Sequence, residues 1–142
     1  MSKVNKEVAF KDVKSYLKKH LKKEFRRGKM PDSKIYDEYE DMIEAVEDGL
    51  LIIDSKGKVE YTLRYPLFAD KEDAALAIKK VHIRGRIKAA DKHLLMDGLD
   101  VQKKLGTYTL KIIAYITEVQ LADVKQLEKE DFDTINQLCS VF

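Results

Sequence analysis

The sequence predicts an α+β protein that is mostly helical, with an N-terminal helical hairpin, a small antiparallel β-sheet of two or three strands and a C-terminal helical bundle. Three observations support this fold class. Apolar residues recur at steps of three and four over most of the chain, one central stretch alternates apolar and polar residues, and only two prolines and six glycines interrupt 142 residues. This length fits a single domain, residues 1–142, with parts at residues 1–49, 50–85 and 86–142.

The N-terminal part predicts two amphipathic helices joined by a turn. The first covers Lys6 to about Arg27, and Gly28 is suited to end it. The second covers Asp32 or Ser33 to about Asp48, and Gly49 would end it. The apolar stripe of the first helix consists of Phe10, Val13, Leu17 (or Tyr16), Leu21 and Phe25, and that of the second consists of Ile35, Tyr39, Met42, Ile43 and Val46.

Charge in this part is divided into two adjacent blocks of opposite sign. Residues 1–29 hold eleven Lys and Arg against three Asp and Glu, a balance of +8, and residues 30–50 hold one Lys against eight acidic residues, a balance of −7. We interpret the first helix as a solvated basic helix packed beside its acidic neighbour, where each exposed ion pair contributes only about 0–1 kcal/mol.

The alternative interpretation of the first helix is a surface for nucleic acid or an anionic membrane, because clustered Lys and Arg release counterions from phosphates. Few aromatic residues interleave the basic ones, which argues against single-strand binding. The residues of this alternative surface would be Lys11, Lys14, Lys18, Lys22, Arg26 and Arg27.

The central part predicts a β-hairpin followed by a third strand. Leu51–Ile53 and Val59–Tyr65 are the strands of the hairpin, and Pro66 is expected to end the second one. Asp70 to Lys80 is compatible with a strand or with a short helix, which its alanines favour. Val81–Arg84 would then return as a third strand, since an isolated hairpin is marginal in water.

Helices account for the remaining sequence. One covers Lys88 to Met96, a long one starts near Asp100 and runs towards Val119, a short one lies around Val124 and Leu127, and the last is opened by Asp131 as N-cap. The long helix has an apolar stripe of Leu105, Tyr108, Ile112, Ile116 and Val119, and the last helix has one of Phe132, Ile135, Leu138 and Phe142.

The sequence contains no pattern typical of catalysis or of metal binding. It has neither a Gly-x-x-x-x-Gly-Lys phosphate loop nor a Gly-x-Gly-x-x-Gly fingerprint, and its three histidines share no ligand-like spacing with each other or with Cys139. We interpret Cys139 as a buried, inert thiol and place His82 on the exposed side of its strand. Arg84 and Arg86 flank a glycine but lack a Gly-rich cradle for a phosphate. We therefore expect a protein that is not an enzyme and that uses no cofactor or metal.

Two spacing patterns occur between Val59 and Phe142. Tyr61–Pro66 and Val81–Arg84 match strands of the type T-L-x-x-P and V-x-L-R. The C-terminal pattern T-x-x-D-V-x-x-L-x-x-x-D-F-x-x-I-x-x-x-x-x-x-F, with a longer gap after its threonine, is matched by Thr117, Asp123, Val124, Leu127, Asp131, Phe132, Ile135 and Phe142. In these features the chain resembles the tail assembly chaperones of long-tailed bacteriophages, whereas the first fifty residues have no counterpart in the resemblance.

This resemblance implies a non-catalytic factor that binds the phage tape measure protein and the tail tube protein in the bacterial host cytoplasm. A cytoplasmic location also agrees with a single cysteine and with the lack of a signal peptide or a membrane-spanning apolar run. Apolar helix faces would hold partner helices in grooves, and a homo-oligomer is compatible with this mode. The expected partner-binding residues, which could equally belong to the core, are Phe132, Ile135, Leu138 and Phe142, with Ile112 and Ile116 behind them.

Overall fold

The computed structural model describes residues 4–68, 77–83, 88–97 and 104–142. Within these ranges the chain forms eight helices and one three-stranded antiparallel sheet, so the predicted α+β class is confirmed. In chain order the elements are α1 (Lys6–His20), α2 (Lys22–Arg26), α3 (Asp32–Glu38), α4 (Glu40–Glu47), β1 (Leu51–Ile53), β2 (Val59–Leu67), β3 (Ile78–His82), α5 (Ala89–Met96), α6 (Leu105–Thr117), α7 (Leu121–Val124) and α8 (Lys129–Cys139).

Each of the two predicted N-terminal helices is divided into two. The first is broken at Leu21 (φ −115°, ψ 46°) into α1 and α2, and the second at Tyr39 (φ −122°, ψ 26°) into α3 and α4. Neither break contains glycine or proline, the residues that usually mark one in a sequence, so apolar periodicity gave no sign of it. Asn5 caps α1 by accepting hydrogen bonds from the amides of Glu7 and Val8.

The N-terminal helical hairpin is held together by apolar contact between α1 and α4. The two helices run antiparallel, since the amide of Val4 donates to the carbonyl of Glu47 at 3.0 Å. The buried face of α1 consists of Ala9, Phe10, Val13, Tyr16 and Leu17, and that of α4 consists of Met42, Ile43, Ala45 and Val46. Burial of this apolar surface is the main contribution to the pairing of the two helices.

The predicted β-hairpin and third strand form one sheet in the order β1–β2–β3. Leu51, Tyr61 and Val81 are direct neighbours across the three strands, and all three side chains are buried. Along β2 the buried residues alternate with half-buried ones, as the period of two in the sequence predicts. One face of the sheet therefore contributes to the core, on which α1, α4 and α8 pack.

Two predicted strand boundaries are wrong. β2 continues through Pro66 to Leu67, because the register of β2 against β3 shifts between Thr62 and Leu67, and a proline without an N–H is tolerated at such an irregularity. β3 begins at Ile78, so the end of the segment from Asp70 to Lys80 is strand. Residues 70–76 and Arg84 lie outside the described residues.

The C-terminal helices follow the prediction except at several boundaries. Leu127, expected in the short helix, lies beyond α7, which ends at Val124, and Phe142, expected on the last helix, lies beyond α8, which ends at Cys139. The predicted start of the long helix near Asp100 lies outside the described residues; within them, α6 runs from Leu105 to Thr117, and Glu118 follows in the left-handed region (φ 57°). Val119, the predicted end of this helix, therefore lies beyond it. The N-cap position of α8 belongs to Glu128, and Asp131 is the third residue of the helix. Asp131 does not cap α8 because its carboxylate is turned to the strand beneath.

Candidate functional site

An apolar groove of about 190 Å³ lies between α6 and the end of α8. It opens where the first two turns of α6 lie beside the last turn of α8 and the C-terminal residues. Ile113 and Cys139 are almost fully buried in it, whereas Leu105 at its edge is 60% exposed. The lining residues are Leu105, Tyr108, Thr109, Ile112 and Ile113 from α6, and Asn136, Cys139, Ser140 and Phe142 from the other side.

The groove arises because α6 is apolar around most of its circumference. Successive turns of its sequence, LGTYTLKIIAYIT, each contain two or more apolar residues. α6 therefore cannot bury all of them against α8. Ile113 and Ile116 face the core, and Leu105 and Ile112 are left to line the groove or its edge. Exposed apolar surface of this kind is typical of sites that contact another chain.

The wall formed by α8 is fixed by buried polar contacts. The hydroxyl of Tyr16 donates to the carbonyl of Leu138 at 2.7 Å, which ties the end of α8 to α1. Burial raises the pKa of Tyr16, so the phenol remains a neutral donor. At the preceding residue, the side-chain oxygen of Gln137 accepts the amide of Met42 at 3.0 Å, and its nitrogen donates to Asp41 at 2.7 Å. Gln137 thereby caps the start of α4, whose own N-cap residue supplies no side-chain bond.

Asp131 is the most constrained polar residue of the site region. Its carboxylate has no exposed surface and accepts three hydrogen bonds from β2: the hydroxyl of Tyr61 at 2.6 Å and the amides of Arg64 and Tyr65 at 2.9 and 3.0 Å. Burial and then the bond to this carboxylate raise the pKa of Tyr61. Those two amides lie where β2 shifts register against β3, so the carboxylate supplies the acceptors that the sheet does not.

The role of Asp131 was missed from the sequence, although a signal was present. Asp131 precedes Ile135 by four residues and Leu138 by seven, which places it on the apolar side of α8. An acidic residue on a buried face needs partners.

The six predicted partner-binding residues are divided between core and surface. Ile116, Ile135 and Leu138 are 0% exposed, so a partner could reach them only if the fold opened. Ile112, Phe132 and Phe142 are half-buried. Of these, Ile112 and Phe142 line the groove and Phe132 does not. Two of the six predicted residues therefore line the groove. Leu105 and Tyr108, which belong to the apolar stripe predicted for the long helix, line it as well.

Titratable groups do not cluster at the groove. Burial raises the pKa of the Cys139 thiol to about 12, so the thiol is protonated at neutral pH, and its predicted burial is confirmed. His82 is exposed on β3, as predicted, with Nδ1 4.0 Å from a carboxylate oxygen of Glu60. Within the described ranges, no group of three or more His, Cys, Asp or Glu side chains could hold a metal ion, and no helix is long and apolar enough to span a membrane.

The predicted basic residues lie on α1, on α2 and just after α2, and none of them lines the groove. Lys14 is half-buried and pairs with Asp32 at 2.9 Å. The other five are exposed: Lys11, Lys18, Lys22, Arg26 and Arg27.

A comparison of the chain with protein-family models, curated proteins and solved structures finds no match. The geometry and chemistry of the groove therefore have to support the functional assignment.

Proposed function

We propose that this protein is a non-catalytic assembly chaperone that holds an apolar segment of a partner chain in the groove between α6 and α8. The observation that supports this proposal is the combination of an apolar, partly open groove with a wall fixed by buried hydrogen bonds. Leu105, Ile112 and Phe142 offer side-chain surface to a partner, while the polar contacts of α8 keep the groove from collapsing. A preformed site reduces the entropy that binding would otherwise cost.

The size of the groove favours a protein side chain over a metabolite. Pockets for small molecules usually enclose about 300–1,000 Å³ and include convergent polar groups. The groove is smaller, at about 190 Å³, and its residues with polar side-chain groups are Tyr108, Thr109, Asn136 and Ser140. Burying one large apolar side chain contributes about 1.5–3 kcal/mol, so one groove gives weak and reversible binding. Weak binding suits a factor that must release its partner.

The resemblance to tail assembly chaperones suggests which partners to test. They are the phage tape measure protein, whose apolar helices would be held until assembly, and the tail tube protein, whose subunits would compete for them and cause release. On this proposal the protein acts in the bacterial host cytoplasm and makes or breaks no covalent bond. Binding of successive partner helices by several copies would raise the overall affinity without any new contact.

The test is co-purification of the protein with helical segments of a phage tape measure protein from the same genome. Leu105→Glu adds a charge at the edge of the groove, at a position that is already exposed and therefore tolerant. Ile52→Glu is the matched control, because Ile52 is 55% exposed on β1 and outside the groove. We expect Leu105→Glu to lower segment binding at least tenfold while the control keeps it.

Circular dichroism must show that both variants are folded. Undiminished binding by folded Leu105→Glu, or an equal loss in both variants, would exclude the groove as the binding site. A lack of binding by the unaltered protein would exclude the tape measure as its partner.

A further inference from the structure

The exposed side of α1 and α2 is a second surface, separate from the groove. We call it the basic face and define it by five of the exposed cations there, Lys11, Lys18, Lys22, Arg26 and Arg27. It belongs to the segment 1–29, in which eleven basic residues oppose three acidic ones. A surface with this density of one sign either remains solvated or binds an anionic partner.

The acidic helices do not neutralise the basic face. In the part of the chain that the structure describes, Lys14–Asp32 is the one ion pair between residues 4–29 and residues 30–50. α1 turns its apolar residues towards α4. Of the lysines of α1, Lys6 lines a pocket with carboxylates of α3 and α4 and Lys14 pairs with Asp32, whereas the cations of the basic face are exposed. The basic helix α1 packs beside the acidic helix α4, as predicted, and Lys14–Asp32 is the ion pair between the two blocks within the described residues. The positive charge of the basic face therefore remains available to an anionic partner.

On each of the two helices the cations of the basic face recur on one side. Lys11 and Lys18 are seven residues apart on α1, and Lys22 and Arg26 are four residues apart on α2, intervals that return to the same side of a helix. The break at Leu21 separates the two pairs. At 1.5 Å per residue, Lys11 and Lys18 are about 10 Å apart along the axis of α1. A nucleic-acid duplex presents one phosphate per about 1.7 Å, so several phosphates lie within that length.

Neither base stacking nor lipid insertion is available to the basic face. The ring of Phe25 lies beneath the ammonium of Lys18, 5.9 Å from the ring centroid, and Phe10 is stacked on Tyr36 with centroids 4.4 Å apart. These aromatic rings are engaged within the fold. The apolar stripe of α1, which a membrane surface would need, is buried, and of the large hydrophobic residues of α1 only Val8 is exposed. What remains is charge attraction to a regular array of phosphates.

We propose that the basic face binds the phosphate backbone of double-stranded nucleic acid without sequence preference. The protein would then have two surfaces that share no residue, a groove for a polypeptide and a cationic face for a duplex. Each cation contacts a phosphate and releases its condensed counterion, and no side chain of the basic face is required to enter a groove of the duplex. This binding does not depend on the proposed chaperone function, since the two surfaces share no residue.

The experiment measures fluorescence anisotropy of a labelled 20-base-pair duplex with the full-length protein between 25 and 100 mM NaCl. Five phosphate contacts predict a slope of log affinity against log salt of about −4.5, which is a loss of about 500-fold over this range. The triple variant Lys11→Gln, Lys18→Gln, Lys22→Gln keeps two contacts, so its loss should be about 12-fold. The matched control neutralises three exposed lysines elsewhere, Lys79→Gln, Lys104→Gln and Lys125→Gln, and should keep the steeper slope.

Each other outcome overturns the proposal. No binding at 25 mM NaCl excludes the duplex, and an equal slope in both triple variants excludes the basic face. Tighter binding to a single strand of the same length would show that bases are contacted. Binding to phosphatidylserine vesicles in the absence of duplex binding would identify a membrane as the partner. Leu105→Glu should bind the duplex like the unaltered protein, so failure here is distinguishable from failure of the chaperone proposal.

Discussion

Replacing Asp131 should destabilise the protein more than any other single change of an acidic residue on α8. Asp131 is fully buried, and its carboxylate accepts the hydroxyl of Tyr61 and the amides of Arg64 and Tyr65. Removing a buried acceptor leaves its donors without partners, at about 1–3 kcal/mol for each unsatisfied group. The hydroxyl of Tyr61 can turn elsewhere, whereas the two backbone amides cannot. We therefore expect Asp131→Ala to lower the free energy of unfolding by about 3–5 kcal/mol.

Asp131→Asn separates the loss of one hydrogen bond from the loss of the whole side chain. The retained oxygen can still accept from Tyr61 and Arg64, which share one carboxylate oxygen. The new amide nitrogen would then face the amide of Tyr65, so that two donors meet. We expect Asp131→Asn to lower the free energy of unfolding by about 2–3 kcal/mol, which is less than the loss expected for Asp131→Ala.

Urea unfolding followed by circular dichroism measures these differences. Asp133→Asn is the control on the same helix, because Asp133 pairs with Lys129 at 2.6 Å on the surface, where water screens the ion pair, and should leave the free energy of unfolding almost unchanged. A cost below about 1 kcal/mol for Asp131→Ala would refute the assignment of Asp131 as the link between α8 and β2. An equally large cost for Asp133→Asn would show that the helix start, and not the buried carboxylate, is responsible.

Three further predictions concern other parts of the fold. Gln137→Leu removes the acceptor at the start of α4 and should lower the free energy of unfolding in urea by about 1–2 kcal/mol; no change would mean that α4 needs no cap. Gly57→Ala and Gly28→Ala, at φ 87° and 66°, should each cost about 1 kcal/mol in the same assay, since both force a side chain into the left-handed region. Cys139, with a pKa raised to about 12 from about 9, should alkylate about 1,000-fold more slowly at pH 8 in the folded protein than in urea. Equal alkylation rates would contradict its burial.

The sequence was sufficient to predict which segments form helices and strands, because apolar spacing reports the period of each element. It was not sufficient where a boundary depends on another part of the fold. Pro66 remains in β2 only because the register shifts beside it. Tyr39 interrupts a helix without any residue that marks a break. For Pro66 the deciding contact is with β3, which is distant in the sequence, so periodicity does not describe it.

Three of the six predicted partner-binding residues lie in the core for a related reason. Ile112 and Ile116 belong to one apolar stripe of α6, yet Ile112 lines the groove and Ile116 is fully buried. Which residue of a stripe is covered depends on where the neighbouring helix ends. The spacing of apolar residues identifies the face of α6 that α8 meets, but the end of α8 at Cys139 fixes how far the cover extends.

α8 shows why binding and stability should respond to different substitutions. The same helix is bound to β2 through Asp131, to α4 through Gln137 and to α1 through the carbonyl of Leu138, and its last turn forms a wall of the groove. A change at these three contacts would alter the groove by loosening α8, so any loss of binding should follow the loss of stability. A change at Leu105 removes apolar surface from the groove without touching those contacts. Loss of binding at unchanged stability is therefore the signature expected of the groove itself, and a scan in which every loss of binding followed stability would leave the groove without a function of its own.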